Sequence, residues 1–479
     1  MKNTNRQTRD DTVKHLLTSF FLLLILVVVG CQKDNALSQS EALLEDGKPQ
    51  DAVALLEKIV AEDEHNTKAR WLLGNAYDRL GRYNAAISAL KTASHQYSSH
   101  PEQRIKVRIQ LARVYLKLGD RASAFSELRS VVRSTSDAAV LREVASIAGD
   151  MYKVVQLTKG NSDNYSPIFS PDSSQIAFSS FRLKNGELYV MDITGHIQQR
   201  VTFTTDFNET SPSFLIDPHY IFYSSEPKTT RQAKVLMQSS GSTPISAGFN
   251  VTHIYSKVTQ QVMPVQFGVR APRLSPDRQK IIYESNTDGN LELYLIDLSD
   301  LDLANIDESK IKPKRITHND MDDGSPAFFP DGKRIVFSSA RQQDKRLGGQ
   351  RLHEAIPPIG QEGVPPTVHQ IYTANIDGSD VTHLNPNPYD CYNPVVSADG
   401  NIIVFVSARE GDMEVYMMDA DGTNERQITN GVGASMQPAL SPDGTKLAFV
   451  SDRSDTLQIY LMHLDQPITH KELFQRLQD

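Results

Sequence analysis

The 479-residue sequence predicts an α-helical solenoid over residues 36–152 followed by a six-bladed β-propeller over residues 153–465. Three observations predict this order. Gly47, Gly81 and Gly119 are each followed at +5 by Ala52, Ala86 and Ala124, and at +9 by Leu56, Leu90 and Leu128, which is the signature of a helical repeat. From residue 153 the apolar residues change to period-two alternation broken by turn signals. Six leading prolines, at 167, 212, 272, 326, 394 and 438, then mark six copies of one strand-turn-strand unit, and six copies mean six blades.

Composition is that of a globular chain, with 39% hydrophobic and 23% charged residues. A net charge of -8 and the lack of a basic stripe exclude broad nucleic-acid binding. The first element is N-terminal: Lys2, Arg6, Arg9 and Lys14 precede an uncharged apolar run from Leu16 to Val29, the pattern of a secretory signal peptide over 1–30. The run is short and early for a membrane-spanning helix, and the alternative is an uncleaved N-terminal anchor helix. Val28-Val29-Gly30-Cys31 resembles the bacterial lipobox. That resemblance implies that the Cys31 thiol receives a diacylglycerol, that residues 31–35 form a tether, and that the mature protein is held to a membrane outside the cytoplasm. Gln32 after the lipid site points, by the family's sorting rule, to the outer membrane. The only other cysteine, Cys391, then has no intrachain partner and is expected as a half-buried small residue.

Within the solenoid, Gly47 and Gly81 stand 34 residues apart and Gly81 and Gly119 stand 38 apart, the surplus falling in the loop around Pro101. Each Gly permits a tight helix-helix turn and each small Ala lets one helix approach its neighbour. The run Trp71-Leu72-Leu73-Gly74-Asn75-Ala76-Tyr77 resembles the first-helix signature of the tetratricopeptide repeat, with Trp71 displaced by one position, about 100° around the helix. Trp71, Asn75 and Asp78 are candidates for a concave peptide-holding groove; the alternative for Trp71 is packing between helices. Residues 137–154 read as a further helix capping the solenoid.

The propeller unit is clearest at Ser441-Pro442-Asp443-Gly444 and the strand that follows, and it recurs around Asp172, Asp277, Asp331 and Asp399. A degenerate copy follows Pro212. Third strands begin at Glu187, Glu292, Gln370, Glu414 and Gln458, and fourth strands end in Arg200-Val201-Thr202, Arg315-Ile316-Thr317 and Arg426-Gln427-Ile428-Thr429. The last blade lacks a fourth strand of its own, so residues 154–158 are expected to close the ring and remove exposed sheet edges, with 466–479 left as a tail. These repeats resemble the TolB-type propeller over about two thirds of the chain. The resemblance implies a cell-envelope setting, but helical repeats stand where that family's namesake has an α/β domain, so its partners do not carry over.

No serine-hydrolase elbow, zinc-protease motif, paired-cysteine motif or phosphate loop is present, and no cofactor is called for. Acidic runs at 320–324 and 419–421 read as calcium loops or, more simply, as strand turns. His318, His369 and His383 read as surface or strand residues. A Ser-x-Arg unit ends the second strand at Arg182, Arg341, Arg409 and Arg453. These four arginines, with Asp322, Asp323 and Tyr392, are candidates for a carboxylate-recognising rim on one face of the propeller; the alternative is local pairing with carboxylates such as Glu187 or Glu414. Residues 342–367, rich in Pro and Gly, form an irregular insertion on that face. The expectation is a non-catalytic, lipid-anchored envelope scaffold that engages a protein or peptide through groove and rim. Its rival is an oligosaccharide-binding protein or lyase working at the propeller channel. The sequence does not fix the oligomeric state.

Overall fold

The computed structural model describes residues 36–215, 217–227, 247–264, 269–299, 307–341, 368–387, 389–409, 411–431 and 433–478. They form two compact units, 149–468 and the remainder. The expected architecture, a helical region followed by a six-bladed propeller, is what the chain adopts.

The helical unit runs α1 (36–45), α2 (Pro49–Glu62), α3 (Thr67–Arg79), α4 (Tyr83–Gln96), α5 (Pro101–Lys117), α6 (Arg121–Ser134) and α7 (Ala138–Ala148). Pro49 and Pro101 begin helices where a missing N–H costs nothing. Asn66 and Asp120 cap α3 and α6 by accepting the N–H groups of Ala69 and Ser123. Gly47, Gly81 and Gly119 lie at φ 72°, 70° and 80°, and beyond each the chain folds back with a bond from Lys48, Arg82 or Asp120 N to Leu43, Tyr77 or Tyr115 O. A Cβ would meet nothing at these three sites, so it is the left-handed backbone that demands glycine. Gly74 is different: a Cβ there would lie 2.6 Å from Leu90 Cγ, so its absence lets α3 and α4 close together. The repeated Ala52, Ala86, Ala124, Leu56, Leu90 and Leu128 are all fully buried.

The C-terminal segment, expected as a tail, instead folds as α8 (His470–Arg476) and belongs to the helical unit. Thr469 and Glu472 form a reciprocal capping box, Leu473 and Leu477 are buried, and Arg133 on α6 lies over the Phe474 ring. The turn from α7 also comes earlier than expected, because Gly149 ends the helix and Tyr152 already pairs as a strand.

Six four-stranded antiparallel sheets make the propeller. Blade 6 is completed by Tyr152–Gln156, two residues ahead of the expected strand, which pairs with Gln458–Pro467. Leu157 and Thr158 remain engaged with that blade: Leu157 N donates to Ile459 O, and Thr158 Oγ1 accepts from Ile459 N. In each innermost strand the residue before the leading proline (Ser166, Ser211, Ala271, Ser325, Asn393, Gln437) has φ between 49° and 52° and breaks the pairing register. The Pro-Asp turns close because Asp172, Asp277, Asp331, Asp399 and Asp443 each accept the N–H two residues on. Hydrogen bonds from the hydroxyls of Ser170, Ser275, Ser397 and Ser441 to four of them, together with those N–H groups, hold the carboxyls below the ordinary range. Five blades share a stacked aromatic pair across strands two and three: Phe178–Tyr189, Tyr283–Tyr294, Phe337–Tyr372, Phe405–Tyr416 and Phe449–Tyr460. Blade 2 sets Tyr223 opposite Asn250 instead.

Candidate functional site: the loop end of the propeller and the helical groove

The second strand of a blade ends on the face that also carries the connections between blades. There the Ser-x-Arg unit builds the same cradle four times. The arginine Nε donates to the serine two residues back, at 2.8 Å for Arg182 and Ser180, 2.8 Å for Arg341 and Ser339, 3.2 Å for Arg409 and Ser407, and 3.0 Å for Arg453 and Ser451. Each guanidinium lies over its blade's aromatic pair, 4.4 Å from Tyr189, 5.3 Å from Tyr372, 4.3 Å from Tyr416 and 5.0 Å from Tyr460. Its outer nitrogen then faces the first residue of the innermost strand: Asn164 at 3.3 Å, Asp323 at 2.6 Å, Cys391 at 3.8 Å or Ser435 at 3.2 Å. Blades 2 and 3 carry Pro227 and Thr287 at the arginine position.

The rim is therefore not a ring of four free cations. Arg341 is paired with Asp323, Arg409 with Glu425, and Arg453 with both oxygens of Asp150 at 2.6 and 3.4 Å. Neither Glu187 nor Glu414, the neighbours expected as local partners, is the one used. Glu187 is taken by Arg200 at 2.7 Å, and Glu292 likewise by Arg315 at 2.8 Å, while Thr202, Thr317 and Thr429 donate to Glu187, Glu292 and Glu414. These triads join the head of a blade's third strand to the end of its fourth. Burial pushes the Glu414 carboxyl up to about 7 against hydrogen bonds from Thr429 and Ser435 and the charge of Arg453, and burial likewise raises Glu209 and Glu226 to about 7.

The remaining rim candidates have structural duties. Asp322 Oδ1 accepts Leu291 N at 2.9 Å, and Asp323 is fully buried, its pKa raised by burial against the pull of Arg341. Tyr392 packs 5.1 Å from His369, and burial, with Asp390 beside it, raises its pKa. Cys391 is fully buried rather than half-buried, with Asn385 Nδ2 at 3.3 Å from its sulfur. His383 stacks on Tyr372 at 4.5 Å and burial lowers its pKa to about 4. Asp419 and Asp421 receive Asn424 and Thr423 from their own turn. Among the described residues no group of three His, Cys, Asp or Glu side chains is placed to hold a metal ion, and no helix is long and apolar enough to cross a membrane. Cys31 and the insertion 342–367 lie outside the described residues.

In the helical unit, Trp71, Asn75 and Asp78 lie on one face of α3, turned toward α5. Trp71 Nε1 donates to Gln110 Oε1 at 2.7 Å, Gln110 in turn donates to Asn75, and Lys117 pairs with Asp78 at 2.9 Å. The Trp71 ring meets Tyr97 edge-on with centroids 6.3 Å apart. The polar ladder continues from Glu41 to Lys68 and from Arg113 to Glu143, linking the first helices of successive repeats. Sequence reasoning missed Gln110, Lys117, Asp150, Glu425 and the Glu-Thr-Arg triads. The recurring Arg-x-Thr ends of the fourth strands were the one available signal for the triads.

Residues 366–475 match the family described as TolB beta propeller domain, and residues 43–104 match Tetratricopeptide repeat. An uncharacterized protein of Agrobacterium fabrum is 25% identical over 263 residues, which is 53% of this chain and 71% of that one. Among solved structures, TolB from Acinetobacter baumannii aligns at 20% identity and TM-score 0.42 over 63% of this chain and 66% of that chain. An oligogalacturonate lyase from Vibrio parahaemolyticus aligns at 14% identity and TM-score 0.40 over 65% of this chain and 93% of that chain. The chain thus joins a helical region, matched by the tetratricopeptide repeat over residues 43–104, to a six-bladed propeller, matched by the TolB beta propeller domain over residues 366–475.

Proposed function

We propose that this chain is a non-catalytic cell-envelope lipoprotein, anchored through Cys31, that engages protein or peptide partners through its helical repeats and through the loop face of its propeller. The observation that carries the reading is the α3–α5 face of the helical unit. Trp71, Asn75, Asp78, Gln110 and Lys117 offer an aromatic plane, amide groups and both signs of charge along successive first helices, the chemistry that grips an extended peptide backbone. The TolB-type propeller adds a second surface on a rigid scaffold.

The test is crosslinking and pull-down from intact cells with the full-length chain, a Cys31→Ala form, and a Trp71→Ala/Asn75→Ala form. A defined envelope protein should be recovered with the anchored chain and lost in both variants. Recovery of an oligosaccharide or a metal ion with the propeller, and no protein, would instead favour a channel that binds or cleaves polysaccharide.

A further inference from the structure

The four arginine cradles share the serine contact and the aromatic stacking and differ in what neutralises them. In blade 4 the carboxylate comes from the head of the blade's own first strand, Asp323. In blade 5 it comes from Glu425, just before the fourth strand. In blade 6 it comes from outside the blade pattern altogether: Asp150, in the segment leading into the propeller and 303 residues from Arg453, turns its carboxylate onto the guanidinium in a two-point grip. Blade 1 has the cradle complete, with Ser180, Phe178 and Tyr189 in place, but Asn164 stands where blade 4 has Asp323. Among the described residues no carboxylate reaches Arg182. It is also the one rim arginine that is exposed, the other three being half-buried.

Around it the surface is cationic and apolar. Lys184 is exposed, Leu183 is 50% exposed and Phe203 is 60% exposed. The loops bearing them are tied together, because Asn185 Nδ2 donates to Thr204 O at 2.9 Å and to Phe207 O at 3.2 Å. Arg200 lies 4.4 Å over the Phe203 ring, which fixes that ring in its outward pose.

We propose that the loop end of blade 1 docks an extended partner segment by one of its carboxylates, received by Arg182, with a neighbouring apolar side chain of that segment resting on Leu183 and Phe203. The intramolecular docking of Asp150 on Arg453 is the template for this contact: a chain segment from outside the blade, held at a prebuilt cradle by a single acidic side chain. The guanidinium is already oriented and stacked, so little side-chain freedom is lost when the carboxylate arrives. The site rests on the scaffold reading above and specifies the chemistry of the partner it would take.

The experiment uses the full chain and two fluorescein-labelled peptides, Gly-Asp-Met-Tyr, which copies the segment at residues 149–152, and its Gly-Asn-Met-Tyr counterpart. Fluorescence anisotropy should show the Asp peptide binding about tenfold more tightly than the Asn peptide, the size expected of a charge-assisted contact. Arg182→Gln should abolish that preference. Asn164→Asp should abolish it too while keeping the arginine, by filling the cradle from within as Asp323 does in blade 4; thermal melts of both variants confirm folding. Equal binding of the two peptides to the unaltered chain, or a preference that survives Arg182→Gln in a folded protein, overturns the proposal. The two readings fail separately. An envelope partner captured equally with and without Arg182 leaves the scaffold standing and removes this site, whereas an Asp preference that depends on Arg182, with no partner captured, supports the site and removes the scaffold.

Discussion

Blades 3 and 5 place the same buried glutamate at the same point and keep it there by different means. Glu292 and Glu414 each head a third strand, and each accepts from a threonine that also takes a third-strand N–H, Leu293 N for Thr317 and Val415 N for Thr429. In blade 3 the fourth strand sets Arg315 opposite Tyr294, and the guanidinium reaches both Thr317 O and Glu292. In blade 5 the same register sets Gln427 opposite Tyr416; its amide keeps the bond to Thr429 O at 2.8 Å but has no second arm for the acid. Glu414 keeps the hydroxyls of Thr429 and Ser435 and Gly431 N at 3.2 Å but has no guanidinium bonded to it, and its pKa rises to about 7 as burial dominates. A buried carboxyl is tolerated either by pairing its charge or by keeping its proton. Blades 4 and 6 take a third course with Gln370 and Gln458, which carry no charge.

The hardest way to break this contrast is Arg315→Gln, which turns blade 3 into blade 5. Stranding Glu292 as a buried carboxylate without its partner should cost about 4 kcal/mol, as read by chemical unfolding at pH 8.

Glu414→Gln runs the other way. Because the folded pKa of Glu414 lies above that of the unfolded chain, its contribution is complete below about pH 4.5 and is lost as pH climbs through about 7. The amide should therefore match the acid at pH 5 and surpass it at pH 8 by up to about 3 kcal/mol, flattening the decline in melting temperature between those values.

Thr317→Val and Thr429→Val each remove a hydroxyl that serves both the acid and a buried N–H, and each should cost about 2 kcal/mol. The loss in blade 5 should grow toward pH 8, where Glu414 is ionised. The gentlest change, Gln427→Arg, installs the missing arm and should add about 1 kcal/mol at pH 8, with the Glu414 titration, followed by NMR, moving down toward the ordinary carboxylate range.

The contrast also shows where sequence reading succeeds. Six leading prolines and the recurring Asp turns announce six blades because a propeller repeats one local solution, and each copy carries its own turn chemistry. The Gly-Ala-Leu register of the helices is legible for the same reason. Arginine positions at the rim follow from Ser-x-Arg, but their partners do not. Asp150 and Glu425 lie outside any repeated motif, and their pairing depends on where a linker and a loop happen to cross the face. Helix α8 is hidden likewise: a seven-residue helix gives little periodicity, and nothing local says that it returns to α6. Trp71 shows the middle case, where its helix and face are readable and its bond to Gln110 is not.

The return of the C-terminal residues to both units bears on how the protein is made. During synthesis the strand at 152–156 emerges early and stays an unpaired edge until 458–467 follow, and the α6–α7 surface waits for α8 at 470–476. Contacts so distant along the chain form slowly. A nascent product that stalls before residue 458 therefore exposes two unfinished surfaces at once, an open sheet edge and an apolar helix face, the features by which chaperones and proteases sort incomplete chains.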